Sequence, residues 1–272
     1  MDPWIESAPA ATPPARLRKT KTHTMSVTNL RIRAMNRLAQ TGNRVARWAH
    51  ARFNSGDNVE CELCGWKGGS FYSGRCPVCN SRSRTRLVPY AMRHFGLDSR
   101  DKVLFHLGPN KPETDWIGRN MKPRAHIIAD ILQFPITTLI CDATRIPLPN
   151  DCVDLIITWH VLEHIPDDRG VMREMLRVLK PGAKALMSVP IVPPQRPETF
   201  EDQSVPREKY LQVYGHEDHV RACGLDYGQR FEEEGFAMRE FRVRELAGSS
   251  RASDMKLFGL SPNHVVWCFE KR

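Results

Sequence analysis

From Lys102 onward the sequence alternates short apolar runs with amphipathic segments, and this alternation restricts the fold more than any other feature. Apolar strands are predicted at residues 103–107, 125–129, 138–141, 153–159 and 185–189. Residues 166–180 predict a helix, because Met172, Met175 and Leu179 recur at helical spacing. Strands that alternate with helices, several of them apolar throughout, form a mostly parallel sheet covered on both faces. The sequence therefore predicts a doubly wound α/β fold.

The net charge of +9 is concentrated at the start of the chain. Residues 1–56 contain ten Lys and Arg against only Asp2 and Glu6, whereas the other 216 residues carry thirty basic and twenty-nine acidic side chains. We expect a basic, largely disordered arm over residues 1–56 that favours contact with an anionic surface. An amphipathic helix over residues 26–53, a transit peptide, and translation that begins at Met25 are alternatives.

The composition restricts the class of protein. No apolar run approaches the roughly 18 residues of a membrane span, and the first residues lack the basic and apolar regions of a secretory signal. A hydrophobic content of 41% is typical of a globular chain. We expect a cytoplasmic location, where the eight cysteines bind metal more often than they form disulfides.

Four of the cysteines form two CxxC pairs separated by eleven residues: Cys61, Cys64, Cys76 and Cys79. Two such pairs supply the four thiolates of a tetrahedral zinc site, which predicts a small zinc ribbon over residues 57–82. A redox CxxC and a rubredoxin-like iron site are the alternatives. Because all four ligands would come from protein, the predicted zinc is structural. The other cysteines have no ligand spacing and are expected in the core: Cys141, Cys152, Cys223 and Cys268.

Three predicted strands end in residues suited to a nucleotide-like ligand. Gly108 ends the first strand, Asp130 closes the second strand 22 residues later, and Asp142 follows the third. Ligands of open α/β sheets bind at the carboxyl ends of the strands, where an acid at this spacing can hold ribose hydroxyls. An NAD-binding domain and a domain without cofactor are alternatives, although NAD favours a glycine-rich turn that is lacking after Gly108.

Two longer runs carry a family resemblance. Residues 147–165 read PLPNDCVDLIITWHVLEHI, and residues 173–182 read REMLRVLKPG. This text resembles the class I S-adenosylmethionine-dependent methyltransferases, in particular the type 11 branch with an N-terminal zinc ribbon, over roughly residues 60–245. The resemblance implies a Rossmann-like methyltransferase domain over residues 83–272. It also implies a closing antiparallel strand pair at residues 241–246 and 264–269.

The resemblance assigns the cofactor contacts residue by residue. It implies that Gly108 approaches S-adenosylmethionine, that Asp130 holds the ribose, and that Asp142 pairs with the adenine amino group. Ala143 would offer a backbone donor, and His160 would face the cofactor pocket. The loop departs from the family's GxGxG, since residues 108–113 read GPNKPE and His106 stands where an acid often precedes the glycine. The donors to the methionine end of the cofactor therefore stay open.

Histidines supply the candidate general bases, because their pKa lies near neutral pH. His160 and His164 follow the fourth predicted strand, and His219 lies in a stretch over residues 190–226 that is long enough to act as a substrate lid. Arg221 is a candidate anion or sugar contact. The alternative for His164 is that it caps the next helix with Glu163, and the alternative for His219 and Arg221 is salt-bridged loop packing.

Two functions and a third possibility follow. A nearly neutral body favours methyl transfer to a hydroxyl of a small molecule or sugar. The alternative is an RNA methyltransferase whose zinc ribbon, basic arm and residues 82–86 (RSRTR) contact phosphates. The basic stretches lack the interleaved aromatic residues that stack on bases. A scaffold that does not bind the cofactor is the non-enzymatic alternative.

Overall fold

The computed structural model describes residues 43–272, so most of the predicted arm lies outside the described residues. The chain divides after Val45. Of the first unit only residues 43–45 are described, and they are helical. The second unit, Ala46–Arg272, begins with helix α1 over residues 46–53. No described helix is both long and apolar enough to cross a membrane.

Seven strands of the second unit form one sheet. Their bounds are β3 Val103–Leu107, β4 Ala125–Asp130, β5 Leu139–Ile140, β6 Val153–Trp159, β7 Leu179–Ser188, β8 Phe236–Arg242 and β9 Val265–Lys271. The order across the sheet is β5-β4-β3-β6-β7-β9-β8. The first five strands of that order run parallel, and β9 runs antiparallel to both β7 and β8. The prediction of a doubly wound, mostly parallel sheet with an antiparallel C-terminal pair is confirmed.

Helices cover both faces of this sheet. The helices are α2 Ser83–His94, α3 Lys111–Asn120, α4 Asp168–Val178, α5 Tyr210–Tyr214, α6 Gln229–Glu233 and α7 Ala252–Leu257. Apolar residues of α2 and α3 pack on one face, and those of α4 and α6 pack on the other. The chain moves outward from β3 through β4 to β5, and then returns to place β6 on the other side of β3. This reversal opens a crevice at the carboxyl ends of β3 and β6, where such sheets bind ligands.

Several predicted boundaries were wrong. The strand predicted at residues 185–189 is β7, which spans Leu179–Ser188. The helix predicted to Lys180 ends at Val178, because β7 begins at Leu179 and pairs with Val153 before an irregularity that contains the Pro-Gly step. The strand predicted at residues 241–246 is β8 instead, which starts directly after Gly235, a residue with φ of +104°. Residues 243–248 form a 3-10 helix. Phe236 and Phe241 are both buried, so the strand that they bound is fixed by packing.

The cysteine segment packs as part of the same core. Strands β1 (Val59–Cys61) and β2 (Trp66–Gly68) form an antiparallel hairpin. Buried Cys61, Leu63 and Cys76 belong to the apolar cluster that covers the α2 and α3 face of the sheet. Arg119 of α3 donates to the carbonyl of Leu63 at 2.6 Å. The hairpin is therefore joined to the sheet by packing as well as by the chain.

The segment between β7 and α6 is held by one buried arginine. Arg221 is 1% exposed, and its guanidinium donates to the carbonyls of Leu162, Ile165 and Pro166 at 2.5, 2.7 and 2.9 Å. It also pairs with Glu201 at 3.2 Å and lies 3.6 Å from Asp168. Because these contacts hold the side chain inside the protein, the expectation that Arg221 contacts a substrate was wrong. The expectation of salt-bridged packing is the one that its geometry fits.

Candidate functional site

A cleft opens at the carboxyl ends of β3 and β4. It has a volume of about 440 Å³, and its lining residues are Gly108, Pro109, Asn110, Lys111, Asp130, Phe134, Pro135 and Ile136. Gly108 and Asp130 thus lie where the strand-end reasoning expects them. The carboxylate of Asp130 is partly exposed, and one of its oxygens accepts the backbone N–H of Leu132 at 3.0 Å. The cleft that Asp130 lines has both polar and apolar residues on its walls.

Gly108 occupies a position that no other residue fits. Its φ is +61°, which L side chains rarely adopt. A Cβ built on Gly108 would lie 2.7 Å from Cγ2 of Val161 in the turn after β6. The close approach is therefore to another part of the protein, and it presses the β3 loop against the β6 turn.

Polar contacts between Asn110 and Glu113 hold the rest of this loop, where the resemblance would place further glycines. Asn110 caps α3, and the carboxylate of Glu113 accepts the backbone and side-chain N–H groups of Asn110, both at 3.2 Å. Glu113 and His106 are fully buried, and His106 Nε2 lies 3.6 Å from the carboxylate. The acid expected near position 106 is thus supplied from α3.

The other predicted cofactor residues lie outside the cleft lining. Asp142 is exposed, and hydrogen bonds from the Thr144 backbone and hydroxyl lower its pKa. Ala143 is buried beside it, and His160 lies beyond β3 in the turn after β6. The strand β5 that precedes Asp142 has only two residues, so this edge of the sheet is short. The structure brings Gly108 and Asp130 together and leaves Asp142, Ala143 and His160 separate from that cleft.

The three predicted catalytic histidines converge on one buried carboxylate. Oε1 of Glu163 lies 3.4 Å from Nδ1 of His160, 3.8 Å from Nε2 of His164 and 3.9 Å from Nε2 of His219. Glu163 is 1% exposed, and the backbone N–H of Val220 donates to its carbonyl at 2.9 Å. This last bond attaches the long segment to the β6 turn. We refer to Glu163, His160, His164 and His219 as the histidine cluster.

The members of the histidine cluster differ in access. The side chain of His164 is 38% exposed, whereas those of His160 and His219 are 6% and 9% exposed. Burial opposes ionisation of Glu163, but the close approach of His160 and His164 outweighs it and lowers the Glu163 pKa. Burial lowers the pKa of His219. Helix α4 is capped by Asp167, which accepts the Gly170 N–H at 2.8 Å, so the expectation that Glu163 and His164 form this cap was wrong.

The four CxxC cysteines meet at a second point. Their sulfurs lie within 4.8 Å of one another, with Cys61 and Cys79 3.6 Å apart and Cys64 and Cys76 3.6 Å apart. Backbone N–H groups of Cys64 and Gly65 donate to the Cys61 carbonyl, as in a metal-binding knuckle. All eight cysteines are free thiols, and the remaining four do not join this group.

Sequence reasoning missed the apolar wall of the cleft. Phe134, Pro135 and Ile136 line it, and Ile131 and Leu132 beside them are 68% and 60% exposed. An available signal was the apolar run that follows Asp130 without helical or strand periodicity. Exposed apolar side chains next to a cleft are typical of a ligand-binding surface. The fold and this cleft define a doubly wound α/β protein with a cleft at its strand reversal.

Comparison with known proteins agrees with this class. Residues 116–187 match the family model described as "Methyltransferase domain". A 104-residue segment is 26% identical to a Mycolicibacterium smegmatis protein named "Probable S-adenosylmethionine-dependent methyltransferase", and it covers 38% of this chain and 32% of that protein. The chain thus matches about a third of that relative's length.

Solved structures with a similar course include two named as S-adenosylmethionine-dependent methyltransferases. One is from Mesorhizobium loti, with a TM-score of 0.47 and 14% identity over 66% of this chain and 96% of that chain. The other is from Archaeoglobus fulgidus, with a TM-score of 0.48 and 15% identity over 69% of this chain and 94% of that chain.

The matched segment runs from α3 through most of β7, and so contains Asp130, the β6 turn and α4. The motifs at residues 147–165 and 173–182 lie wholly inside it. This segment of the chain is therefore similar to a methyltransferase domain.

A substitution at Gly108 tests how the cleft is built. Gly108→Ala is expected to lower the free energy of unfolding by about 1–3 kcal/mol, because both the positive φ and the contact with Val161 disfavour a Cβ. Gly118→Ala is the control, since Gly118 lies in α3 with no atom near its Cβ position, and it should be neutral or stabilising by up to about 1 kcal/mol. Urea denaturation measures both, and equal stabilities would contradict this account of the loop.

Proposed function

We propose that this protein transfers the methyl group of S-adenosylmethionine to a hydroxyl of a small molecule or sugar. The match of residues 116–187 to the methyltransferase domain carries the proposal, because that segment contains one wall of the cleft at the strand reversal. The near-neutral charge of residues 57–272 supports an acceptor that is not a polyanion. S-adenosylmethionine supplies an electrophilic methyl group when it is bound.

The proposed cofactor contacts follow the cleft. Asp130 would accept hydrogen bonds from ribose hydroxyls, and the Gly108 turn would leave room for the cofactor beside β3. Phe134 and Ile136 would exclude water from the ligand's apolar surface. Asp142 and the backbone of Ala143 are proposed to meet the adenine amino group at the β5 end of the sheet.

The proposed acceptor side is the β6 turn and the segment over residues 190–226, which we propose acts as a lid. The enzyme's task in an in-line displacement is to hold acceptor oxygen, methyl carbon and sulfur on one line at about 3–3.5 Å. His164 is the exposed member of the histidine cluster, so an acceptor hydroxyl can reach it. His160 and His219 are buried beside His164, and they would help to accept the proton that the hydroxyl loses.

Cofactor binding is tested with S-adenosylhomocysteine by calorimetry. The full chain is expected to bind with a Kd in the micromolar range, and Asp130→Ala should weaken binding by at least about 10-fold through loss of ribose hydrogen bonds. Asp98→Ala is the matched control. Asp98 also accepts the backbone N–H two residues later in the chain, at 2.9 Å. It lies before β3, however, towards the amino end of that strand and not at the carboxyl end where the cleft opens.

The control separates cofactor loss from misfolding. Asp98→Ala should bind within about 3-fold of the parent protein, and all three proteins should melt at similar temperatures. A parent protein that does not bind S-adenosylhomocysteine would overturn the proposed activity.

We further propose that the four CxxC cysteines bind a structural Zn²⁺. Four thiolates at Zn–S distances near 2.3 Å lie about 3.8 Å apart in a tetrahedron, which fits the separations of 3.6 Å between the paired sulfurs. The Ser81 hydroxyl lies 3.2 Å from Cys79 Sγ and 3.4 Å from Cys61 Sγ, where it can donate to a thiolate. The ion would join the β1–β2 hairpin to the segment before α2.

Zinc content after dialysis against a chelator tests this site. The parent protein should retain one Zn²⁺ per chain, and Cys76→Ser should retain none and melt at least about 5 °C lower. Cys152→Ser is the control, because Cys152 stands outside the cysteine group, and it should keep its zinc. Retention of zinc by Cys76→Ser would exclude this ligand set.

RNA methylation is the second candidate, and an arginine-lined groove favours it. The groove of about 170 Å³ lies between the cysteine segment and the cofactor loop, with Arg75, Arg82, Arg84 and Lys111 on its walls. Burial and repulsion from Arg82, Arg47 and Arg84 lower the pKa of Arg75. Arginines that repel one another without a carboxylate between them suit a phosphate.

RNA binding is expected to depend on this groove if the second candidate is right. The double variant Arg75→Gln with Arg82→Gln should then reduce the slope of log K against log salt by about 1–2. The control, Arg100→Gln with Arg244→Gln, removes equal charge from exposed residues elsewhere. Filter binding at several salt concentrations measures both. Equal slopes, or no binding by the parent protein, would favour the small-molecule acceptor.

A further inference from the structure

We infer that Glu163, His164 and His219 bind one divalent transition-metal ion. Two imidazole nitrogens and one carboxylate oxygen meet here within 4.8 Å of one another. They come from the β6 turn and from the segment that precedes Arg221, so distant parts of the sequence converge on one point. Two histidines and a carboxylate form a common ligand set for Zn²⁺, Fe²⁺ and related ions, with positions left open for an outside ligand.

Both histidines are oriented as metal ligands usually are. Nδ1 of His164 lies 3.1 Å from the carbonyl oxygen of Asp218, and Nδ1 of His219 lies 3.1 Å from that of Tyr214. A carbonyl only accepts hydrogen bonds, so each Nδ1 carries a proton and donates it. This tautomer directs Nε2 of each ring, the atom that would bind a metal ion, towards Glu163. A backbone carbonyl behind the ring is the usual partner that fixes a ligating histidine.

The two Nε2 atoms face the Glu163 carboxylate. They lie 3.8 and 3.9 Å from Oε1 of Glu163. A cation between these three atoms would be attracted by the carboxylate and bound by both nitrogens. In addition, Oε2 of Glu163 is buried without a hydrogen-bond partner in the described residues, as are both ring nitrogens of His160. Buried charge of this kind is costly unless it is paired or bound to metal.

The separations are close to those around one ion. Metal–ligand bonds near 2.1 Å at tetrahedral angles place ligand atoms about 3.4 Å apart. The carboxylate–imidazole distances of 3.8 and 3.9 Å would shorten by about 0.5 Å, and the two imidazole nitrogens, at most 4.8 Å apart, by about 1.4 Å or less to complete the set. His164 is partly exposed and can make that movement.

The ion's role, unlike its binding, rests on the proposed function. An open coordination position beside the β6 turn would bind an oxygen of the acceptor and lower the pKa of its hydroxyl. His219 would then act as a ligand, and the proton of the acidified hydroxyl would pass to water. The acceptor class that this favours is an oxygen compound able to bind a metal, such as a diol or a hydroxy acid.

Cobalt titration of the full chain, without an affinity tag and with the cysteines already loaded with zinc, tests the site. One further Co²⁺ per chain should bind, with d–d absorption and no thiolate charge-transfer band. His164→Ala and Glu163→Gln should each weaken Co²⁺ binding by at least about 10-fold. His216→Ala is the matched control, since His216 is an exposed histidine of the same segment outside the ligand set, and it should bind within about 3-fold.

S-adenosylhomocysteine binding to the same variants keeps the two proposals separate. His164→Ala should retain the cofactor affinity and melting temperature of the parent protein while it loses cobalt. The inference is overturned if no second Co²⁺ binds, if the bound Co²⁺ has thiolate charge-transfer absorption, or if both ligand variants bind it as the parent does. Cobalt binding without S-adenosylhomocysteine binding would support the metal site and overturn the methyltransferase activity.

Discussion

The buried guanidinium of Arg221 holds together the parts from which the candidate site is made. It donates to three carbonyls of the turn after β6, and the same turn contains Glu163 and His164. Arg221 follows His219 by two residues, so it also fixes where that histidine lies. Glu201 and Asp168 balance its charge, and Tyr227 and Arg230 donate to Asp168 at 2.7 and 3.0 Å. A charge this deeply buried is tolerated because three carbonyls and two carboxylates surround it.

Much of the architecture could be predicted because it depends on local patterns. Strands β3 and β6 have the predicted bounds, since continuous apolar runs between turn residues are buried on both faces. Gly108 and Asp130 were predicted to share a cleft from the rule that ligands bind at strand ends. Strand β8 was predicted too far along the chain. The apolar residues of this region are compatible with more than one position for the strand, and the turn at Gly235 fixes where it starts.

The candidate site was harder to predict, because its centre depends on contacts between distant residues. Three histidines were singled out, yet the carboxylate that joins them was regarded as a helix cap. Residues 214–221 fold over Glu163 and bury it. No sequence pattern near position 163 predicts that contact. Arg221 was misjudged for the same reason. An arginine in a long polar segment is usually exposed, and its burial depends on carbonyls about 55 residues earlier.

The cysteine hairpin is integrated with the sheet to a degree that a separate ribbon domain would not be. Arg86 of α2 is 1% exposed and donates to Ser81 at 2.7 Å, to Phe258 at 2.8 Å and to Gly259 at 3.0 Å, while it stacks on Phe71. These contacts join the cysteine segment to α2 and to the loop before β9. The order of the hairpin therefore influences one whole face of the sheet, including the groove beside the cofactor loop.

Strand β9 lies between β7 and β8, although it is the last of the three in the chain. Residues 265–271 are synthesised after both strands that they pair with. Until then β7 and β8 each have an edge that β9 does not yet pair, and Phe231 and Phe236 lack their contact with Phe269. The seven-stranded sheet can close only after the nascent chain has released this segment. The sheet is thus completed only after β9 has been translated. Until then the exposed edge of β7 can pair with other strands, so this topology favours protection of that edge during synthesis.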